Sequence, residues 1–301
     1  MAQNQMNKYV WLVDTIHRAG KISLEDINRK WLDNDLSEGI EIPKRTFHKW
    51  RIAIEEMFGL IIENEKRGEY RYFILNDDEI EKKGIKSWMI DTISTSNLLI
   101  NNVSLKDRFI LENMPSGREY LQPILSAMKQ NRLIHITYYN YWRDDERQYY
   151  LKPLCVKLFR QRWYMVGESW STERRIIFCL DRIRDFRLSS HTFDYPDDFS
   201  PEEYFDGCIG VITENVAIEE VELKVSSNQA NYLRDLPMHE SQREVERNDE
   251  YSIFMLRVRP TLDFQQELLW NRDELEVMKP LWLRKEMAEI VKRMWNKYNT
   301  I

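Results

Sequence analysis

A chain of 301 residues exceeds one hydrophobic core, so two or three domains are expected. Its 43% hydrophobic and 31% charged residues are those of a soluble globular protein, and no run of about eighteen apolar residues offers a membrane span. The net charge of −6 argues against nucleic acid only if charge is spread evenly, and it is not. Residues 1–75 hold twelve basic and twelve acidic side chains, whereas residues 120–187 hold thirteen basic and seven acidic ones. The N-terminal stretch lacks the basic, apolar and small-residue pattern of a signal peptide, so a cytoplasmic protein with no membrane association is expected. Cys155, Cys179 and Cys208 are odd in number and widely spaced, which reads as reduced thiols. No HExxH or CxxC occurs, and no metal or cofactor is expected.

In chain order, residues 6–18 place Tyr9, Leu12, Val13 and Ile16 on one helical face, and Gly20 stops the helix. Ser23 caps a second helix with Asp26 at the capping-box position, and Leu24, Ile27 and Trp31 turn inward. A third helix follows, with Pro43 at its first position, an apolar stripe of Phe47, Trp50, Ile54 and Phe58, and Gly59 at its end. Two short strands then flank a turn near Arg67 and Gly68. Three helices and a hairpin are the order of a winged helix-turn-helix over residues 1–75. The third helix opens with KRTFHKWR, cationic and free of acid. Lys44, Arg45, Thr46, His48, Lys49 and Arg51 are therefore candidate contacts to double-stranded DNA, because a recognition helix needs cations for guanine edges and phosphates. Lys66 and Arg67, with Arg71, suit backbone contacts from the wing, although Glu63, Glu65 and Glu69 flank it.

Residues 76–118 read as a helical linker, with a turn at Pro115, Ser116 and Gly117. The helix that follows contains Ser126 and Lys129 at SxxK spacing. The SDN and KTG companions of that motif are absent, so a polar helix face is the better account. Residues 133–187 form short strands rich in β-branched and aromatic residues, as in a small antiparallel barrel. Tyrosines and tryptophans alternate there with lysines and arginines. This mixture suits base stacking or phosphate binding, but on composition alone a barrel core with solvated arginines is the better account. Past Ser200-Pro201, strands alternate with helices to the end, as expected of an α+β domain. The last helix shows an apolar face of Leu283, Met287, Ile290, Met294 and Tyr298, while Trp270 and Trp282 read as core or dimer contacts.

RWYMVGES followed by FCLDRIRDF resembles the signature of WYL-domain transcriptional regulators. The triplet falls on Trp163, Tyr164 and Met165, and the Asp-Arg-Ile element on Asp181, Arg182 and Ile183. KPLCVKLFRQ, ITYYNYW and the order of segments are similar too. The resemblance implies an α+β multidomain protein: winged helix-turn-helix (1–75), helical linker (76–118), Sm-like, SH3-type WYL β-barrel (119–212) and α+β C-terminal extension (213–301). It further implies a barrel that senses a single-stranded nucleic acid or nucleotide-like ligand. Tyr164 and Arg182 are then the leading ligand-site residues, followed by Lys157 and Arg160, with Tyr138, Trp163 and Arg174 as candidates beside them. One position departs from the family: Ile176 stands where relatives often carry Arg. A one-residue shift in a strand turns a side chain to the other face. Either a bulge compensates, Arg174 serves by parity, or the contact is missing.

The sequence therefore reads as a homodimeric, ligand-responsive DNA-binding regulator. The alternative is a nucleic-acid-binding accessory protein, acting for example in phage defence or the DNA-damage response, whose barrel is the main site. An enzyme is disfavoured, because no nucleophile–base pair, metal cluster, GxGxxG or GxxxxGK is present.

Overall fold

The computed structural model describes residues 2–81, 84–101, 108, 110, 117–213 and 216–299. The expected turn at Pro115 and Ser116 lies outside them. The chain divides into two compact units, residues 1–112 and 113–301.

The first unit opens with α1 (Ala2–Ala19), α2 (Leu24–Leu32) and α3 (Lys44–Phe58), then the antiparallel pair β1 (Ile62–Asn64) and β2 (Tyr72–Ile74). Local chemistry sets these limits. The Ser23 hydroxyl accepts from the Asp26 amide at 3.0 Å, as a cap should. Gly59, at φ +68°, closes α3, and its amide donates to the Glu55 carbonyl at 2.8 Å. Pro43 is the N-cap of α3 rather than its first helical residue. Leu12, Val13 and Ile16 of α1 meet Ile27, Phe47, Ile54 and Phe58 in one core. Edge-on tryptophans join the three helices, with Trp31 4.8 Å from Trp11 and 5.4 Å from Trp50. Ile22 pairs with Tyr72 and extends the hairpin by a third short segment. The linker segment carries α4 (Asp78–Glu81) and α5 (Ile85–Asn101). It is not detached: Ile90 joins the core, and the Asn97 amide donates to the Asn7 carbonyl at 3.2 Å.

The second unit starts with α6 (Arg118–Lys129) and five strands: β3 (Arg132–Asn140), β4 (Asp145–Phe159), β5 (Arg162–Ser169), β6 (Arg175–Cys179) and β7 (Ile183–Thr192). Their order is β6-β5-β4-β3-β7, antiparallel throughout. The expected closed barrel is corrected to an open sheet, because no ladder joins β6 to β7. A 3-10 turn over Leu180–Arg182 separates these end strands. Closure is also unnecessary for burial, since both faces are covered. Ile124 and Ala127 of α6 pack with Ile134, Met165 and Phe178. Phe193 and Phe199 cover Leu133, Leu154 and Val166.

The chain continues through α7 (Pro201–Tyr204), β8 (Glu219–Ser226), α8 (Ser227–Asp235), β9 (Arg243–Arg247), β10 (Tyr251–Val258), α9 (Leu262–Trp270), β11 (Leu275–Lys279) and α10 (Leu281–Asn299). The sheet order β11-β8-β10-β9 with a βαββαβ path is the split βαβ, ferredoxin-like arrangement. Val221, Leu223, Phe254 and Leu256 face Phe264, Leu268 and Leu283 across its core. Trp270 and Trp282 are exposed and belong to no core. Of the expected apolar face of α10, Leu283 is buried, whereas Met294 and Tyr298 lie in solvent.

Edge strand β9 is exposed and charged at every position but Val245, which discourages further strand pairing. Arg234 of α8 holds it through a bidentate pair with Glu244, at 3.0 and 2.6 Å. This guanidinium lowers the Glu244 carboxyl from 4.5 to about 2. A depressed acid stabilises the fold above its unfolded value and loses that contribution as pH falls through its folded one. Acid melting between those values should therefore be flatter in Glu244→Gln than in the wild type, as differential scanning calorimetry can measure.

Candidate nucleic-acid interface and ligand site

On α3 the exposed face carries Lys44, Arg45, His48 and Lys49, with Thr46 half-buried beside them. No side chain caps the N-terminus of this helix, so its first amides and its positive dipole end stay open on the same side. Arg51 is different. Its guanidinium lies over the Tyr72 ring at 5.5 Å and donates to the Ile62 carbonyl, tying α3 to the hairpin. These contacts engage its side chain within the first unit. Lys66 and Arg67 are exposed at the hairpin tip. Two acids flanking them are engaged: Glu65 meets Lys21 at 2.9 Å, and Glu69 meets Arg71 at 3.1 Å. The hydrogen bond from Lys21 also lowers the Glu65 carboxyl.

In the second unit, three of the seven candidate ligand residues meet around Cys179. Tyr164 and Cys179 are directly opposed across β5 and β6. The buried Tyr138 hydroxyl accepts from the Cys179 amide at 3.2 Å. The 3-10 turn brings in Arg182, whose guanidinium stacks on Tyr141 at 4.3 Å. The turn can form because Gly117 lets the start of α6 approach closely. A Cβ there would lie 2.7 Å from the Asp181 amide nitrogen. Burial pushes Tyr164 up to about 12. Burial and the neighbouring Asp181 carboxylate push Cys179 up to about 11, so its thiol is protonated at neutral pH and a poor nucleophile. Arg162 completes the cluster 3.7 Å from Asp181. The Arg182 Nε is buried without a hydrogen-bond partner among the described residues.

The other candidates lie elsewhere. Trp163 packs on the core. Lys157 opposes Tyr164 on β4, but its ammonium donates to the Gly210 carbonyl at 2.7 Å and lies 4.1 Å over Phe205. Burial holds it below the ordinary lysine value. Arg160 sits in the two-residue turn between β4 and β5, where it and Gln161 both take positive φ, and pairs with Glu267 at 2.5 Å. Arg174 is exposed in the next hairpin, at the far end of β5. The β5–β6 ladder runs without a bulge, Ile176 packs on the core, and Arg175 binds Glu168 and Asp198. No arginine of β6 therefore enters the cluster. Tyr141, Arg162, Cys179 and Asp181 fall outside the seven candidate ligand residues, although Asp181 belongs to the Asp-Arg-Ile element. Strand parity signals Cys179, but no spacing places Tyr141 over Arg182.

Residues 119–188 match the family description of the WYL domain, and residues 217–295 that of the WCX domain. The chain thus carries a WYL domain followed by a WCX domain. The WYL match contains the whole Tyr164–Cys179–Arg182 cluster, and the WCX match spans the ferredoxin-like sheet. Among solved structures, the chain is similar to proteasome accessory factor B/C (PafBC) of Arthrobacter aurescens, at 16% identity and a TM-score of 0.35 over 94% of this chain and 46% of that one. The chain thus spans less than half the length of PafBC. It is also similar to a CRISPR Cas-related protein, at 11% identity and a TM-score of 0.41 over 97% of this chain and 85% of that one. No curated protein matches the chain. Among the described residues, no helix is long and apolar enough to cross a membrane, and no group of acidic, histidine or cysteine side chains could hold a metal.

Proposed function

We propose that this WYL-domain protein is a DNA-binding transcriptional regulator whose WYL domain responds to a single-stranded nucleic acid or nucleotide-like ligand. In this reading residues 1–75 are a winged helix-turn-helix, 76–118 a linker, 119–212 the sensing domain and 213–301 the C-terminal extension. The observation that carries it is the acid-free face of Lys44, Arg45, His48 and Lys49 on an uncapped helix start. Cations there can meet phosphates and guanine edges while the open amides favour an anion. The main-site alternative for the WYL domain is less well supported. Several of its cations are already engaged in ion pairs, as in Arg147–Asp145, Lys152–Glu168, Arg175–Asp198 and Arg187–Asp185.

The ligand reading rests on Arg182. A buried, unpartnered guanidinium nitrogen is costly unless an acceptor reaches it, and the stacked Tyr141 gives a planar ligand an aromatic surface. Tyr164→Ala and Arg182→Ala should each weaken binding of a fluorescent single-stranded oligonucleotide about tenfold, in protein that circular dichroism shows to be folded. Unchanged titration curves for both variants would remove the site.

A further inference from the structure

The centre of the exposed face of α3 holds one apolar side chain. Phe47, Trp50, Ile54 and Phe58 turn into the core, so the opposite side of the helix carries Arg45, His48, Lys49, Ile52 and Glu56. Successive residues turn by about 100°, which puts Ile52 within about 20° of Arg45, two turns along. Ile52 is 45% exposed and belongs to no core. A lone isoleucine on an ordinary surface would need no explanation. This one stands between Lys49 and Glu56, on the line that the cations define.

Charge along this face reverses at Ile52. Lys44, Arg45, His48 and Lys49 precede it with no acid among them, and Glu55 and Glu56 follow it, both exposed. Acids near the negative end of a helix repel phosphates, so the part of α3 suited to a major groove ends at Ile52. The isoleucine side chain has no hydrogen-bonding atom. Pressed on the edge of guanine, adenine or cytosine, it would strip donors or acceptors of water without replacing it, which is costly. Thymine alone presents an apolar group in the major groove, its C5-methyl.

We propose that Ile52 is a specificity-determining residue of α3 and packs against the C5-methyl group of a thymine. The inference rests on the DNA-binding reading and names the base that this part of the face takes. Seven helical residues rise roughly 10 Å, about three base-pair steps. The thymine therefore lies about three base pairs from the position that Arg45 meets.

The duplex that the full chain selects from a random pool tests this, with each thymine in turn replaced by deoxyuridine, which lacks only the methyl group. Fluorescence anisotropy should show wild-type affinity falling about fourfold at one thymine in each half of the site, the contribution of one buried methyl group. Ile52→Ala should bind the thymine and deoxyuridine duplexes equally. Ile52→Val keeps a branched apolar side chain and should keep the preference. Arg45→Ala should weaken binding to both duplexes and leave their ratio near four. Ile52 is exposed, so circular dichroism and melting of its variants should match the wild type. Wild-type affinity indifferent to every methyl group, a preference that survives Ile52→Ala, or a selected motif without thymine overturns the role of Ile52 and leaves the DNA-binding reading standing. A pool from which no duplex is selected overturns both.

Discussion

Replacing Arg45 and Lys49 with alanine is expected to weaken duplex binding by about 30-fold or more and to flatten its salt dependence. Both side chains are exposed on α3, one turn apart, and neither belongs to the core. Their loss should leave the melting temperature unchanged, so the effect reads as contact rather than folding. Each phosphate contact removed should lower the slope of log affinity against log salt by about one. Arg51→Ala makes the contrast. It should destabilise the unit, because Arg51 bridges α3 to the Ile62 carbonyl and the Tyr72 ring. Fluorescence anisotropy across a salt series separates the cases. Duplex affinity that survives the double variant but vanishes in Arg182→Ala would make the WYL domain the main nucleic-acid site.

The second large effect is expected at Gly210, where the WYL sheet meets the WCX unit. Its carbonyl accepts from Lys157, and the next two amides, of Val211 and Ile212, donate to one Asp263 oxygen at 2.7 and 2.8 Å. A Cβ at Gly210 would lie 2.2 Å from that oxygen and 2.6 Å from the Asp263 Cβ. Swinging only the carboxylate tip cannot relieve both contacts. Gly210→Ala should therefore cost about 2–4 kcal/mol, through overpacking and two orphaned amides. That corresponds to a fall in melting temperature of roughly 5–15 °C for a unit of this size. Asp263→Asn keeps an acceptor oxygen and should cost less. A Gly210→Ala protein that melts like the wild type would show that Asp263 does not fix this junction.

Elements set by local chemistry were legible in the sequence. The Ser23 cap, the Gly59 stop and the Phe47–Phe58 stripe each depend on neighbours within about one helical turn. Arg51 was legible too, since it lies four residues from Phe47 and three from Ile54, on the buried stripe. Sheet closure was not legible, because it depends on whether the ends β6 and β7 meet, which no local pattern encodes. The role of Lys157 was hidden for a similar reason. Its partner Gly210 is fifty-three residues away, on a segment whose path across the sheet follows from Phe199 and Phe205 packing. Tyr164 and Arg182 did come together, because the WYL-like residues at those positions share one short hairpin and turn. The last turns of α10 show the opposite limit. Helical periodicity placed Met294 and Tyr298 on an apolar face, but periodicity does not report what covers that face, and both are exposed.

Duplex reading by α3 is the output on which the proposed regulator depends. Selection of bound sequences from a random duplex pool with the full chain tests it most directly. A recovered motif with two-fold symmetry is expected, as a pair of helix-turn-helix units requires, together with its loss when Arg45 and Lys49 are alanine. A pool that stays random, or a motif that the double variant recovers equally well, would contradict it.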